Sequence, residues 1–159
     1  TIGGSVANND PSACYPSAVL ALGANITTNQ RSISSDDYFI GMFETALNSN
    51  EIITEISFPI PDKSSYIKFP NPASRYAMVG VFMAKTGNKV NVAITGASEN
   101  GVFRSSEIEN ALTSNFTLES IDGLNISSDG LISDIHASSN YRANLIKQMA
   151  KRALKEIIV

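Results

Sequence analysis

Two β-rich segments joined by a short turn constrain the fold of this chain more than any other feature. Residues 76–85 and 89–97 are rich in β-branched, aromatic and other apolar side chains, and Thr86-Gly87-Asn88 separates them. Because glycine readily adopts positive φ, a turn of this composition between two such segments is typical of an antiparallel hairpin. A strand-like run at 66–69 precedes the hairpin, so the sequence predicts three antiparallel strands.

The C-terminal residues predict a long amphipathic helix that covers this sheet. Ser138 or Ser139 is suited to cap its start. One face is apolar and the opposite face is basic. The apolar face comprises Leu145, Ile146, Met149, Ala153, Leu154 and Ile157, and the basic face carries Lys147, Lys151 and Lys155. Since the apolar face must be buried, the sequence predicts an α+β fold in which a three-stranded antiparallel sheet is layered with helices.

Shorter elements are predicted on either side of the hairpin. Ser105 or Ser106 can cap a helix that turns Ile108, Ala111 and Leu112 inward, and residues 117–124 form one more helical turn. Near the start, a short apolar helix is expected after Pro11 and ends at Gly23. Residues 25–28 and 31–34 flank Asn29-Gln30, which predicts a second hairpin with a polar turn.

Residues 35–65 predict a helix, a strand and a boundary. Ser35 is a candidate N-cap, and apolar side chains recur at helical spacing from there to Leu47. Residues 51–58 alternate in the manner of a strand and are followed by two prolines and a short polar run. The boundary placed there divides the chain into a first domain over 1–61 and a second over 62–159.

Composition excludes several classes of function. The chain has 159 residues, 43% of them hydrophobic, and carries a net charge of −3 with its 12 basic residues scattered. This is ordinary globular composition without a basic footprint for nucleic acid or an anionic membrane. The apolar runs are too short to span a bilayer, and we expect a cytoplasmic protein.

The single cysteine and the single histidine limit the chemistry further. Cys14 and His136 cannot by themselves form a disulfide, a zinc site or an iron–sulfur site, so no metal site is expected. His136 lies just before the predicted cap of the long helix. We interpret it as a structural hydrogen-bonding group, with a general base as the alternative.

The first eleven residues are the strongest candidate for a ligand site. Gly3 and Gly4 lack Cβ, so the backbone there can turn at positive φ and its amides can approach a ligand closely. Polar groups suited to phosphate oxygens and sugar hydroxyls follow, namely Ser5, Asn8, Asn9 and Asp10. By itself such a run is more often only a tight turn.

The run Thr1-Ile-Gly-Gly-Ser-Val-Ala-Asn-Asn-Asp-Pro resembles the second FAD-binding motif of the medium, flavoprotein subunit of the molybdenum hydroxylases. This is the family of aerobic carbon monoxide dehydrogenase and xanthine dehydrogenase. Segments such as Pro72-Ala-Ser-Arg-Tyr-Ala, Ser133-Asp-Ile-His and Tyr141-Arg142 are most similar to medium subunits of the carbon monoxide dehydrogenase type. The resemblance implies that Thr1, Ile2, Gly3, Gly4, Ser5, Asn8 and Asp10 contact the FAD.

The same resemblance implies three further contacts with the flavin. Tyr76 would lie beside the ring system, Lys68 near its pyrimidine edge, and Ile53 against the cofactor. From the residues alone, Tyr76 could equally be a strand tyrosine with one buried face, Lys68 a solvated lysine, and Ile53 plain core.

Cys14 departs from the motif. Relatives commonly have Asp-Pro-x-x-Asp where this chain has Asp10-Pro11-Ser12-Ala13-Cys14. A thiol is a poor substitute for a carboxylate acceptor, which implies a weaker FAD site or more binding through Asp10 and the backbone. A redox-active thiol and a buried, inert one both remain open.

The function implied by the resemblance is electron transfer in an oxidoreductase complex without catalytic side chains of its own. A large molybdenum-cofactor subunit would oxidise the substrate, and a small iron–sulfur subunit would relay electrons to the flavin. The alternative is a flavin-free docking module of the same type of complex. Since Thr1 already lies inside the glycine motif, we expect a C-terminal fragment that is inactive and free of FAD on its own.

Overall fold

The computed structural model describes residues 1–158, which form six helices and nine strands. In chain order they are α1 (Ile2–Asn8), α2 (Tyr15–Ala21), β1 (Asn25–Thr28), β2 (Ser32–Ser34), α3 (Ser35–Tyr38), β3 (Phe39–Gly41), β4 (Glu44–Thr45), β5 (Ile53–Ser57), β6 (Lys63–Pro70), β7 (Ala77–Thr86), β8 (Lys89–Thr95), β9 (Phe103–Arg104), α4 (Ser106–Ser114), α5 (Leu118–Asp122) and α6 (Ser139–Ile158). None of the described helices is both long and apolar enough to cross a membrane.

The largest sheet is antiparallel, with strands in the order β6-β7-β8-β9. The predicted hairpin is confirmed, since Thr86 pairs with Lys89 across the two-residue turn of Gly87 and Asn88. The predicted strand before it is β6. A fourth strand, β9, adds two residues at the edge beside β8, and a segment this short gives no periodicity by which it could be predicted.

Helix α6 covers this sheet by packing on β6 and β7. All six residues of the predicted apolar stripe are buried, which confirms the layered α+β arrangement. Helix α4 follows the N-cap Ser105, as predicted, and buries Ile108 and Leu112 in the same core. The main core therefore lies between the sheet and the C-terminal helices.

A smaller sheet, in the order β2-β1-β5, forms the first part of the chain. The predicted hairpin of β1 and β2 is confirmed, with Ile26 opposite Ile33. Both isoleucines are buried together with Val6 of α1 and Tyr38 of α3. This second core brings α1 against the small sheet.

The predicted helix from Ser35 to Leu47 is wrong beyond its first turn. Helix α3 follows the N-cap Ser34 and ends at Tyr38, after which β3 and β4 form a hairpin whose turn holds Phe43 at φ 57°. The reason is a long-range contact. The side-chain amide of Asn9 donates to Gly41 O at 2.7 Å and to Glu44 O at 3.0 Å, so the hairpin is tied to the end of α1.

A buried carboxylate fastens the loop before β5 to the small sheet. The Glu51 side chain is fully enclosed and accepts hydrogen bonds from Thr28 Oγ1 at 2.7 Å, Arg31 Nε at 2.9 Å and Asn48 N at 2.9 Å. These donors, Arg31 first among them, lower the pKa of Glu51 to about 2. The ion pair holds two segments together that are 20 residues apart in the chain.

The two parts of the chain pack directly on each other. Leu20 and Ala21 of α2 are buried against Ala93 and Val102 of the second part. The polar run after Pro61, beside the predicted domain boundary, is mostly strand, since β6 already begins at Lys63. Main-chain pairing with β7 overrides the polar composition there.

Candidate functional site

The glycine motif is helical, which corrects the expected positive-φ loop at Gly3 and Gly4. Thr1 is the N-cap of α1, and its side chain accepts a hydrogen bond from Gly4 N at 3.1 Å. The first helical hydrogen bond then runs from Ser5 N to Thr1 O at 3.0 Å. Because the threonine satisfies an amide of the first turn, the segment continues as helix. The positive φ falls instead on Asn9, at 44°.

Neither the fold nor the packing requires a glycine at position 3. A Cβ added to Gly3 meets no heavy atom within 4 Å, and one added to Gly4 meets only Thr1 Oγ1 at 3.2 Å. Glycine also weakens a helix by up to about 1 kcal/mol relative to alanine. Gly3 therefore leaves open space beside the backbone, and the two glycines together weaken this seven-residue helix. That arrangement fits a ligand held close to the backbone.

The turn from Asp10 to Cys14 is anchored on the end of β8. Asp10 Oδ1 accepts from Ser12 N at 2.8 Å, which closes the turn. Pro11 O accepts from Gly96 N at 2.6 Å. The hydroxyl of Thr95 lies 2.8 Å from Pro11 O and 2.7 Å from Ala13 O. The glycine motif is thereby connected to the large sheet.

Cys14 and Lys68 are brought together although they are 54 residues apart. Lys68 Nζ lies 3.5 Å from Cys14 Sγ, and the lysine is exposed. The neighbouring Tyr66 has its hydroxyl buried, and burial, assisted by the proximity of Cys14, raises the pKa of that hydroxyl. A Cβ on Gly80 would lie 2.5 Å from the Tyr66 oxygen, so the bare glycine makes room for the ring. Two of the predicted site residues therefore form one small cluster.

Tyr76 lies outside the strand and exposes its ring. Strand β7 begins only at Ala77, and Tyr76 is 56% exposed, so its position differs from that of a half-buried strand tyrosine. It borders a pocket of about 190 Å³ together with Ser12, Gly96, Asp134, His136 and Arg142, among others. The pocket joins Tyr76 to the turn that follows the glycine motif.

The remaining predicted residues lie on α1 or in the small core. Asn8 and Ile2 are exposed, whereas Ile53 of β5 packs against the cluster that contains Val6. Asn9 is fully buried, so its amide braces the β3–β4 hairpin and does not face a ligand. His136 is exposed, and its backbone amide donates to Asp134 Oδ1 at 2.9 Å. This bond belongs to the main chain, so the structural role of the imidazole stays a prediction.

Sequence reasoning missed a buried cation beneath the pocket. The Arg142 side chain is only 5% exposed and forms an ion pair with Asp134, with Nη2 2.7 Å from Oδ2. Its Nη1 donates to Met78 O at 2.7 Å and to Gly96 O at 2.9 Å. Within the described residues, no group of three or more His, Cys, Asp or Glu side chains could hold a metal ion.

Comparison with known proteins identifies similar sequences. Residues 1–61 match the family described as FAD binding domain in molybdopterin dehydrogenase. The chain is 30% identical to the glyceraldehyde dehydrogenase medium chain of Sulfolobus acidocaldarius over 99% of its length. It is 29% identical to the nicotine 6-hydroxylase medium subunit of Paenarthrobacter nicotinovorans over 98%, and 27% identical to the carbon monoxide dehydrogenase medium chain of Hydrogenophaga pseudoflava over 97%. The chain spans 61%, 60% and 59% of these three relatives.

Solved structures share the fold. Carbon monoxide dehydrogenase from Hydrogenophaga pseudoflava superposes with a TM-score of 0.82 at 26% identity, over 99% of this chain and 60% of that one. The reconstituted CO dehydrogenase from Oligotropha carboxidovorans superposes with a TM-score of 0.85 at 24% identity over the same shares. These matches confirm the predicted fold class.

Proposed function

We propose that this chain, a relative of the medium chains of the molybdopterin dehydrogenase family, is the part of an electron-transfer subunit that contacts FAD. The proposal rests on the glycine pair of α1. Residues 1–61 match an FAD-binding domain family. No heavy atom lies within 4 Å of a Cβ built on Gly3, so the packing of the chain does not require a glycine at this position. A bound ligand gives a reason for two helix-weakening glycines in so short a helix.

Three groups of residues would contact the cofactor. Thr1 to Ser5, with Asn8 and Asp10, offer main-chain amides, hydroxyls and a carboxylate to the phosphate and sugar portion. Lys68 and Cys14 would lie at a polar edge of the ring system. Tyr76 exposes an aromatic ring that can cover a flat face. FAD, when bound, supplies the redox chemistry, and the protein supplies binding and electrostatics.

The cysteine in this cluster changes the electrostatics of Lys68. A carboxylate in the place of Cys14 would form an ion pair with an ammonium group 3.5 Å away. A thiol is a weaker hydrogen-bond partner. With a thiol at position 14, no carboxylate there neutralises the positive charge of Lys68. That charge therefore favours negative charge on the neighbouring cofactor more than it would beside an aspartate.

The subunit partners of the whole protein and its domain boundary are inferred from the same comparisons. Because those relatives are named medium chains or medium subunits, we propose that the whole protein assembles with a large molybdenum-cofactor subunit and a small iron–sulfur subunit. The family match over 1–61 supports a boundary between residues 61 and 62. The turn of Asp10 to Cys14 would connect the two parts through Thr95 and Gly96.

A visible absorption spectrum of the full-length subunit tests the proposal. The full-length protein is needed because the chain spans about 60% of its curated relatives. We expect flavin absorption at one FAD per subunit, bleached when electrons are supplied by the iron–sulfur partner. A folded full-length subunit that takes up no flavin would instead favour the flavin-free docking module.

A further inference from the structure

The Ser133-Asp-Ile-His and Tyr141-Arg142 segments are not used by the proposed FAD contacts, yet the structure joins them at one point. Arg142, on the first turn of α6, is among the most deeply buried charged side chains of the described residues. A buried guanidinium is strongly unfavourable unless its charge and its donors are satisfied. Asp134 satisfies the charge through Nη2, and two main-chain carbonyls accept from Nη1, whereas Nε is buried without a hydrogen-bond partner among the described residues.

The two carbonyls lie just past the last paired residues of β7 and β8. The pairing of these strands runs from Thr86 and Lys89 at the turn to Gly80 and Thr95 at the far end. Met78 and Gly96 lie beyond the last pair. Arg142 Nη1 donates to both of their carbonyls, at 2.7 and 2.9 Å, and so bridges the strand ends where the ladder has stopped.

Each strand end carries one part of the candidate flavin site. Met78 is two residues after Tyr76 at the start of β7. Gly96 donates its amide to Pro11 O at 2.6 Å and thereby holds the turn that leads to Cys14. Gly96 itself has φ 81°, and a Cβ there would collide with Ala77 O. The backbones of the two strand ends are therefore in close contact, and a planar guanidinium is the group that spans them.

We propose that Arg142, held by Asp134, is a positioning residue for the flavin site, which sets the distance between Tyr76 and the Asp10–Cys14 turn. This inference rests on the proposed function. Arg142 acts through main-chain carbonyls and does not itself contact the cofactor. Asp134 is fixed in turn, because its Oδ1 accepts from the backbone amides of His136 and Ala137 at 2.9 Å each.

The only cysteine of the chain reports on this brace without any cofactor. Cys14 is half-buried. In the 159-residue chain, Arg142→Met should raise the rate of its alkylation by a maleimide by about tenfold, which corresponds to roughly 1.4 kcal/mol in the equilibrium that exposes the thiol fully. Arg142→Lys keeps the ion pair but loses the planar fork, so it should fold more readily and still raise the rate. Arg104→Met is the matched control, since Arg104 lies on edge strand β9 and pairs with Glu109 of α4 and Asp36 of α3.

The second measurement uses the full-length subunit. Both Arg142 variants should weaken FAD binding by about tenfold and shift the flavin midpoint potential, whereas Arg104→Met should leave both at the wild-type value. Unchanged Cys14 alkylation in both Arg142 variants would overturn the proposal. So would faster alkylation with wild-type FAD affinity and potential, since Arg142 would then be structural only. If the wild-type subunit binds no FAD, the proposed function itself fails, and the wild-type sample identifies that outcome.

Discussion

Replacing Gly3 by alanine should have opposite effects on stability and on FAD binding. Gly3 occupies the first turn of α1 with an ordinary helical backbone, and an added Cβ meets no heavy atom within 4 Å. The methyl group therefore causes no strain within the chain. Alanine is better than glycine in a helix by up to about 1 kcal/mol, so the folded state should gain stability, or at least lose none.

The expected change in the free energy of unfolding can be expressed as a change in Tm. For a chain of this size, 1 kcal/mol corresponds to a rise of roughly 2–4 °C in Tm. The same methyl group would fill space that we assign to the cofactor. Inserting a methyl into a close-packed contact costs about 1–3 kcal/mol, which weakens FAD binding by roughly 5- to 150-fold. The variant should be the more stable protein and the poorer flavoprotein.

Differential scanning calorimetry of the 159-residue chain and titration of the full-length apoprotein with FAD measure the two effects. Gly123→Ala is the control. Gly123 also has negative φ and no heavy atom near an added Cβ, but it caps α5 far along the chain from the glycine motif. It should leave FAD affinity unchanged. Wild-type FAD affinity in Gly3→Ala would refute the assignment of this space to the cofactor, and a lower Tm would refute the description of Gly3 as unstrained.

Three further outcomes are expected. Gly96→Ala should lower the free energy of unfolding by about 2–5 kcal/mol in urea titrations, because a left-handed backbone and a collision with Ala77 O add together; a loss below 1 kcal/mol would contradict the geometry. Glu51→Gln should lower the free energy of unfolding at pH 7. Since the pKa of Glu51 is lowered to about 2 from an unfolded value of about 4.3, the stability difference between wild type and variant should disappear as the pH falls from about 4.3 toward 2; urea titrations of both proteins across this range check it. Tyr76→Ala should leave Tm within about 2 °C because the ring is largely exposed, yet change the flavin fluorescence of the full-length subunit; identical fluorescence would remove Tyr76 from the site.

Elements with a local cause were predictable from the sequence. The β7–β8 hairpin has its turn residues between two apolar runs, and α6 has a stripe that repeats over more than three turns. The segment after Ser35 also has apolar residues at helical spacing, but it folds as a hairpin beyond Tyr38. The deciding hydrogen bonds come from Asn9, more than 30 residues earlier. The spacing of apolar residues after Ser35 contains no information about a hydrogen-bond partner that lies so far away in the chain.

The glycine motif was misjudged for a different physical reason. Glycine permits both signs of φ, so a glycine pair does not by itself determine whether the backbone forms a helix or a positive-φ turn. The helical conformation is favoured here because the Thr1 hydroxyl accepts a hydrogen bond from Gly4 N and so caps the first turn. The contact of Cys14 with Lys68 could not be derived from local pattern at all, because two different strands of the large sheet set it: Thr95 of β8 anchors the turn and β6 presents the lysine.

Arg142, in contrast, was within reach of the sequence. It stands three and four residues before Leu145 and Ile146, on the same face of α6 that the apolar stripe defines. A charged residue on a buried face predicts a partner of opposite charge and acceptors for its remaining donors, since a buried unpaired charge is too costly to persist. Asp134, in the motif just before the helix, was the nearest carboxylate of suitable reach. The acceptors could not be named, because Met78 and Gly96 become neighbours only once β7 and β8 have paired. A cationic side chain on an apolar helix face therefore predicts from sequence that buried hydrogen-bond partners exist. Only the pairing of the sheet determines which main-chain carbonyls these partners are, and hence which part of the site the side chain holds in place.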